Sequence, residues 1–218
     1  MKPSEREDNL YSSGKTTQVE REERLMLDML GKGNGRLLDI GCGEGSISMK
    51  LKEMGYAVVG IDFSQVGVDL ARQKGIDARQ VDVDGGLPFS DAEYDAVWMG
   101  DILEHVFDPI QLLAESRRVI NDGGSVYLTT PNDMWILTRI KALFGYSPQS
   151  SIYRACRQCK HHSVMSLELL DYFIAEAGLK LGDFHADCQI PKTGIRFYTK
   201  SRFVASLFGR VFVVRLSK

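Results

Sequence analysis

No stretch of this 218-residue chain is apolar over the length that a membrane-crossing helix requires, about 20 residues. The polar start, Met1 to Asn9, also lacks the apolar core of a secretory signal. Both absences point to a cytoplasmic protein. Charge of one sign is missing too: 27 Lys and Arg stand against 29 Asp and Glu, a net charge of −2. A general nucleic-acid binder would need a positive surplus, so no nucleic-acid partner is expected. Cysteine is scarce. Cys42, Cys156, Cys159 and Cys188 form no disulfide framework. Cys156-x-x-Cys159 followed by His161 and His162 lacks the second pair at finger-like spacing, so reduced thiols and no metal are expected.

What remains is ordinary for a globular α/β protein, 44% hydrophobic and 26% charged. The length suits one domain over residues 1–218 and is short for two. Its organising stretch is Arg36 to Gly45, RLLDIGCGEG. Leu37, Leu38 and Ile40 form the short apolar run of a buried parallel strand, and helical periodicity follows through Ile47, Leu51 and Met54. Gly41, Gly43 and Gly45 remove Cβ atoms where the backbone must turn and a ligand must approach it. Cys42 lies within this turn, where a small side chain suffices.

Two acids give the turn a chemical meaning. Asp39 precedes the first glycine, and Asp62 ends the next apolar strand, Ala57 to Ile61. An acid about 20 residues after the glycine turn is placed to accept hydrogen bonds from ribose hydroxyls. That spacing suits a dinucleotide as well as a nucleoside. Asp39 and Glu44 would repel a pyrophosphate but tolerate a cationic sulfonium, and Ser46 stands where G-x-G-x-x-G needs its third glycine. These residues favour S-adenosylmethionine over NAD.

The segments LLDIGCGEGSISMKL, VVGIDFS, DVDGGLPFSDAEYDAV and ILEHVFDPIQLLAESRRVINDGGSVYLTTPN, in that order, resemble the class I Rossmann-like S-adenosylmethionine-dependent methyltransferases over residues 36 to 132. The segments PNDMWILTRIKALFGYSPQ and HHSVMSLELLDYFIAEAGL resemble the MetW-like subgroup and its methyltransferase type 11 neighbours. The resemblance implies a doubly wound, seven-stranded, mostly parallel sheet flanked by helices, with the last strand antiparallel. It also implies S-adenosyl-L-methionine as cofactor and S-adenosyl-L-homocysteine as product. Asp39, Gly41, Cys42, Gly43, Asp62 and Phe63 are then cofactor-binding residues. Asp82 would accept from the adenine amino group with the Val83 backbone beside the ring, or else cap the turn into Gly85-Gly86. Gly100 ends the fourth strand at the point where strand order reverses, which places it beside the cofactor.

Asp101, His105 and His161 are the candidate catalytic residues. Each histidine either aligns or deprotonates the acceptor, or makes a structural hydrogen bond. The layout implied is an amino-terminal helix and lid over 1–35, in which Tyr11 is a candidate lid residue, a cofactor core over 36–132, an acceptor-site insertion over 133–165, and a carboxyl-terminal helix with strands over 166–218. The last 31 residues after Asp187 contain no acid, so this basic, aromatic end could meet an anionic acceptor, a membrane surface or solvent. The function expected is methyl transfer to an oxygen or nitrogen of a small-molecule or glycan acceptor. The alternative is a MetW-like partner protein that binds S-adenosylmethionine without transferring its methyl group. Thr130-Pro131-Asn132 does not supply the N/D-P-P-Y/F pattern of enzymes that methylate base amino groups.

Overall fold

The short apolar runs become strands because they are too brief for buried helices and rich in Val, Ile and Leu. The structure is a computed structural model and describes residues 21–150 and 161–218. β1 (Arg36–Ile40) lies between β2 (Ala57–Asp62) and β4 (Tyr94–Gly100), parallel to both. β3 (Asp77–Gln80) extends one side and β5 (Ile120–Pro131) the other, again parallel. β6 (Lys180–Gln189), β7 (Arg196–Thr199) and β8 (Gly209–Ser217) complete the sheet in the order 3-2-1-4-5-8-6-7. β8 runs antiparallel between β5 and β6, and β7 runs antiparallel to β6.

The doubly wound, mostly parallel sheet is as expected, but it has eight strands rather than seven among the described residues. The extra one, β7, is an edge strand that closes a hairpin with β6, and its burial alternates between exposed and half-buried. β3 ends at Gln80, because Asp82 leaves the sheet to cap a short 3₁₀ turn over Val83–Gly85. β5 begins at Ile120 and takes in Asn121 to Gly124.

The helices cover both faces. α1 (Arg21–Leu30) buries Met26 against β5 and β8. α2 (Ser46–Glu53) and α3 (Gln65–Gln73) make the first two crossovers, with Ser64 Oγ accepting the Gly67 N–H at the N-cap of α3. α4 (Pro109–Val119) starts at Asp108 and Pro109, as its sequence requires. α5 (Ile136–Leu143) follows β5, α6 (Leu167–Glu176) starts from Ser166, and the short α7 (Arg202–Phe208) precedes β8. One core, built from β1, β2, β4 and β5 with α4 and α6, includes Leu38, Ile61, Val97, Leu113, Leu128 and Ile174. The site lies where order reverses, between the carboxyl ends of β1 and β4.

Candidate functional site

The glycine turn leaves β1 with Gly41, Gly43 and Gly45 at φ of 78°, 51° and 79°, the left-handed region that favours glycine. A Cβ on Gly41 would stand 2.2 Å from Ile102 Cδ1, so the loop after β4 packs directly on the turn. Gly60 performs the complementary service for Cys42: a Cβ there would meet Sγ at 2.8 Å. Cys42 is thus a buried packing residue facing β2, and burial pushes its thiol far above the ordinary range.

Asp62 anchors the turn. One oxygen accepts the Gly43 N–H at 2.8 Å and the other accepts the Ser64 N–H at 2.8 Å. The acid that ends β2 thereby joins the glycine turn to the start of α3, with Phe63 between the two tethered amides. Asp39 is 2% exposed and accepts the Ser48 hydroxyl at 2.5 Å. Burial pushes its carboxyl up to about 7; the Ser48 bond opposes this and the charge of Asp62 adds to it. Glu44 behaves differently, since it accepts from Ser46 Oγ at 2.7 Å and pairs with Lys74 at 3.4 Å. Its charge is locally compensated. Ser48 was missed in the sequence; its one signal is a small polar residue on the sheet-facing side of α2.

Because folding lifts the Asp39 carboxyl above its unfolded value of 3.8, the folded state keeps a proton there that the unfolded state has lost, and stability falls as pH rises from that value to about 7. Asp39→Asn keeps an acceptor for Ser48 and carries no charge. It is expected to gain about 4 kcal/mol over the wild type near pH 8 and close to nothing near pH 4, as read by urea melts. A difference independent of pH would count against this origin.

On the other flank, Asp82 Oδ1 accepts the Asp84 N–H at 3.1 Å, so this acid does cap the turn that contains Val83 and Gly85. Gly100 pairs with Thr129, and a Cβ there would make ordinary contact with Trp98 Nε1 at 3.7 Å and Thr129 Oγ at 3.9 Å. Asp101 follows with φ of 51°, a left-handed conformation in a residue with a Cβ. Buried Thr129 holds it there: its hydroxyl donates to Asp101 Oδ1 at 2.9 Å and accepts the Asp101 N–H at 3.1 Å.

The two candidate histidines, 56 positions apart in sequence, meet edge to face with ring centroids 4.8 Å apart. Hydrogen bonds from the His162 and Ser163 amides to the Glu104 carbonyl bring them together. Asp133 and Met165 exchange two further bonds, N–H to carbonyl at 2.9 Å and N–H to carboxylate at 2.8 Å, which fix the returning segment against the end of β5. His161 Nδ1 is buried with no hydrogen-bond partner among the described residues. Beneath the pair lies Glu104, 1% exposed and bonded by Thr130 Oγ at 3.3 Å. Burial first, and the charge of Asp101 second, push its carboxyl well above the ordinary range. Asn132 is not in this group; its amide donates to the Gly209 carbonyl at 3.0 Å and ties β5 to β8.

Donor atoms of Glu104, His105 and His161 lie within 4.8 Å of one another, the one such group among the described residues. A carboxylate and two imidazoles suit a zinc-class ion. The sequence had drawn attention to Cys156 and Cys159 beside His161 instead; those cysteines, like Tyr11, lie outside the described residues.

Residues 38–128 match the Methyltransferase domain family. A ubiquinone biosynthesis O-methyltransferase of Pseudomonas aeruginosa is 32% identical over 108 residues, covering 47% of this chain and 47% of that protein. The corresponding enzyme of Acinetobacter baylyi is 27% identical over 162 residues, covering 70% and 66%. An uncharacterized 37.1 kDa protein in a transposon of Streptomyces fradiae is 36% identical over 126 residues, 54% of this chain and 36% of that protein. The chain thus spans between 36% and 66% of the length of these relatives. Among solved structures, an S-adenosylmethionine-dependent methyltransferase from Mesorhizobium loti superposes with a TM-score of 0.69 at 18% identity, covering 90% of this chain and 97% of the other. One from Thermotoga maritima, described as a possible histamine N-methyltransferase, gives 0.64 at 22% identity, covering 89% and 87%. Residues 38–128 thus match a methyltransferase domain, and the solved structures share this chain's fold. Both of those structures are described as S-adenosylmethionine-dependent methyltransferases.

The glycine turn fits S-adenosylmethionine: the Asp62 carboxylate stands at the end of β2 beside the turn, and the acid beneath the turn is Asp39.

Proposed function

We propose that this chain transfers the methyl group of S-adenosylmethionine to an oxygen or nitrogen of a small-molecule or glycan acceptor, held against His105 and His161. The observation that carries the proposal is the meeting of these two histidines over buried Glu104, directly after Gly100. When bound, the cofactor supplies a methyl group on a sulfonium, to which the acceptor's lone pair bonds while the carbon–sulfur electrons stay on sulfur as a thioether. The chain's own residues then have three tasks. Asp62 and the glycine turn, with Cys42, Phe63, Asp82 and Val83 around them, hold the nucleoside. Asp101 and Thr129 shape the edge of the crevice. His105 and His161 align the nucleophile and take up its proton. Positioning is the larger contribution, since well-oriented reactants gain on the order of 7–11 kcal/mol over free ones.

An oxygen acceptor is favoured by the relatives named as O-methyltransferases. A cytoplasmic location is part of the same proposal. Incubation with S-adenosylmethionine and a panel of phenols, carboxylic acids, amines and sugars, with S-adenosylhomocysteine read by mass spectrometry, tests it. Acceptor-dependent product is the expected result. Tight cofactor binding with no product from any acceptor class would favour the partner-protein reading. Transfer is also expected to survive dialysis against a chelator, because the sulfonium needs no Lewis acid; loss restored by zinc would assign Glu104, His105 and His161 to a metal instead.

A further inference from the structure

Between Asp133 and Ser150 the chain has no acidic residue, and none follows Asp187. These two acid-free segments meet in the fold, because α5 packs against α7 and Arg139 donates to the Ser206 carbonyl at 3.4 Å. None of the residues of α5 is buried, although five of its eight are apolar: Ile136, Leu137, Ile140, Ala142 and Leu143. Exposure rises along the helix, to 85% at Leu143 and 78% at Phe144, with Tyr146 also exposed beyond its end. On α7, Phe203 is 76% exposed. A core-facing helix would hide such side chains, and single exposed apolar residues are common, but a group of this kind on one face marks a contact surface.

The pattern on α5 says what it contacts. At helical spacing Ile136, Ile140, Leu143 and Phe144 share a sector of about 100°, and Arg139 and Lys141 flank that sector on its two sides. Arg139 bonds backbone carbonyls of Met134 and Ser206, and Arg210 stacks on Trp135 at 4.3 Å. Asp133 lies beside Arg210 and accepts the Met165 amide, and two further acids are on α6. Asp171 is paired with Arg202, and Glu168 lines the shallow cleft that also holds Met134 and Arg139. An apolar sector edged by cations and rich in Leu, Ile and Phe is the signature of a helix lying in the headgroup plane of an anionic bilayer. A second copy of the chain fits less well, because pairing the two faces would bring like charges of Arg139 and Lys141 together.

We propose that α5, the residues to Tyr146 and Phe203 of α7 form a docking face for an anionic membrane surface. Apolar side chains enter the headgroup boundary, and Arg139, Lys141 and Arg210 meet lipid phosphates. This differs from the expectation of contact through the basic carboxyl-terminal end, since α5 supplies the exposed apolar residues. It is independent of the acceptor proposed above.

The test is co-sedimentation of the full chain with vesicles of phosphatidylcholine containing phosphatidylglycerol, against phosphatidylcholine alone. The wild type is expected to partition to the anionic vesicles, less strongly as salt is raised. The double variant Leu143→Glu with Phe144→Glu, at exposed positions that leave the circular dichroism unchanged, is expected to partition at least about tenfold less. Lys141→Glu is expected to give a smaller loss that vanishes at high salt. Equal binding to both vesicle types, or wild-type partition by the double variant, would overturn the proposal. So would a concentration-dependent dimer in light scattering that the same double variant abolishes, which would make a second copy the occupant.

Discussion

Replacing Asp62 with alanine is expected to weaken binding of S-adenosylmethionine by about two orders of magnitude. The carboxylate accepts two backbone N–H groups, from Gly43 and Ser64, and so sets the shape of the turn before any ligand arrives. Hydrogen bonds to a charged partner contribute about 1.5–3 kcal/mol each, and losing the equivalent of one or two of them in the bound state corresponds to roughly a hundredfold in Kd. Alanine also leaves two amides without their acceptor in a site only 7% exposed at Asp62, so part of the loss comes from a turn that no longer holds its left-handed glycines. Asp62→Asn separates these causes. Its carbonyl can serve one of the two amides, which preserves more of the turn but offers a ribose diol no charged acceptor. Isothermal titration with S-adenosylmethionine and S-adenosylhomocysteine, alongside thermal melts, checks both. Asparagine binding nearly as well as wild type would place the role of Asp62 in the turn alone; alanine binding as well as wild type would remove Asp62 from the site.

That part of the site was legible because its signals are local. Strand, glycine turn and helix lie within 18 residues from Arg36 to Glu53, and the acid of β2 follows at a spacing fixed by one crossover. The residues that were harder to read depend on long-range geometry. The end of β3 is set by Asp82 leaving the sheet to cap a turn, which an apolar pattern through Val81 and Val83 conceals. β7 is short, half exposed and stabilised by its hairpin with β6, so it lacks the continuous apolar run that revealed β1, β2 and β4. Ser48 acquires its meaning from Asp39 nine residues earlier, and the sequence alone gives no reason to pair them. His105 and His161 were each visible, but as two unrelated histidines. Their meeting depends on the Glu104 carbonyl accepting from the His162 amide across the returning insertion. Helix α5 was hidden for a different reason: without a buried stripe it resembles a loop rich in aromatics, and among the described residues its apolar face is left exposed.

The histidine pair makes the sharpest functional prediction. His105→Ala is expected to lower the transfer rate by about 10²–10⁴, the range that a positioned general base contributes, while leaving cofactor affinity near that of the wild type. The reason lies in the different surroundings of the three groups. Glu104 is the most deeply buried of them, and burial favours its protonated form, which suits it to orient a neighbour rather than to accept a proton from the acceptor. Glu104→Gln preserves shape and the capacity to accept from Thr130, so it is expected to reduce the rate by less than about tenfold. His161 carries a buried nitrogen without a partner among the described residues, a cost that the fold bears and that an acceptor hydroxyl or amine would relieve. His161→Ala is therefore expected to raise KM for the acceptor more than it lowers kcat, whereas His105→Ala acts chiefly on kcat. A base in this role also gives a rate that rises with pH across the range where imidazole titrates, and that limb should disappear in His105→Ala. If both alanine variants keep the wild-type rate and pH profile, the nucleophile needs no base from this pair, and catalysis reduces to the positioning that Asp62, the glycine turn and the Asp101–Thr129 contact provide.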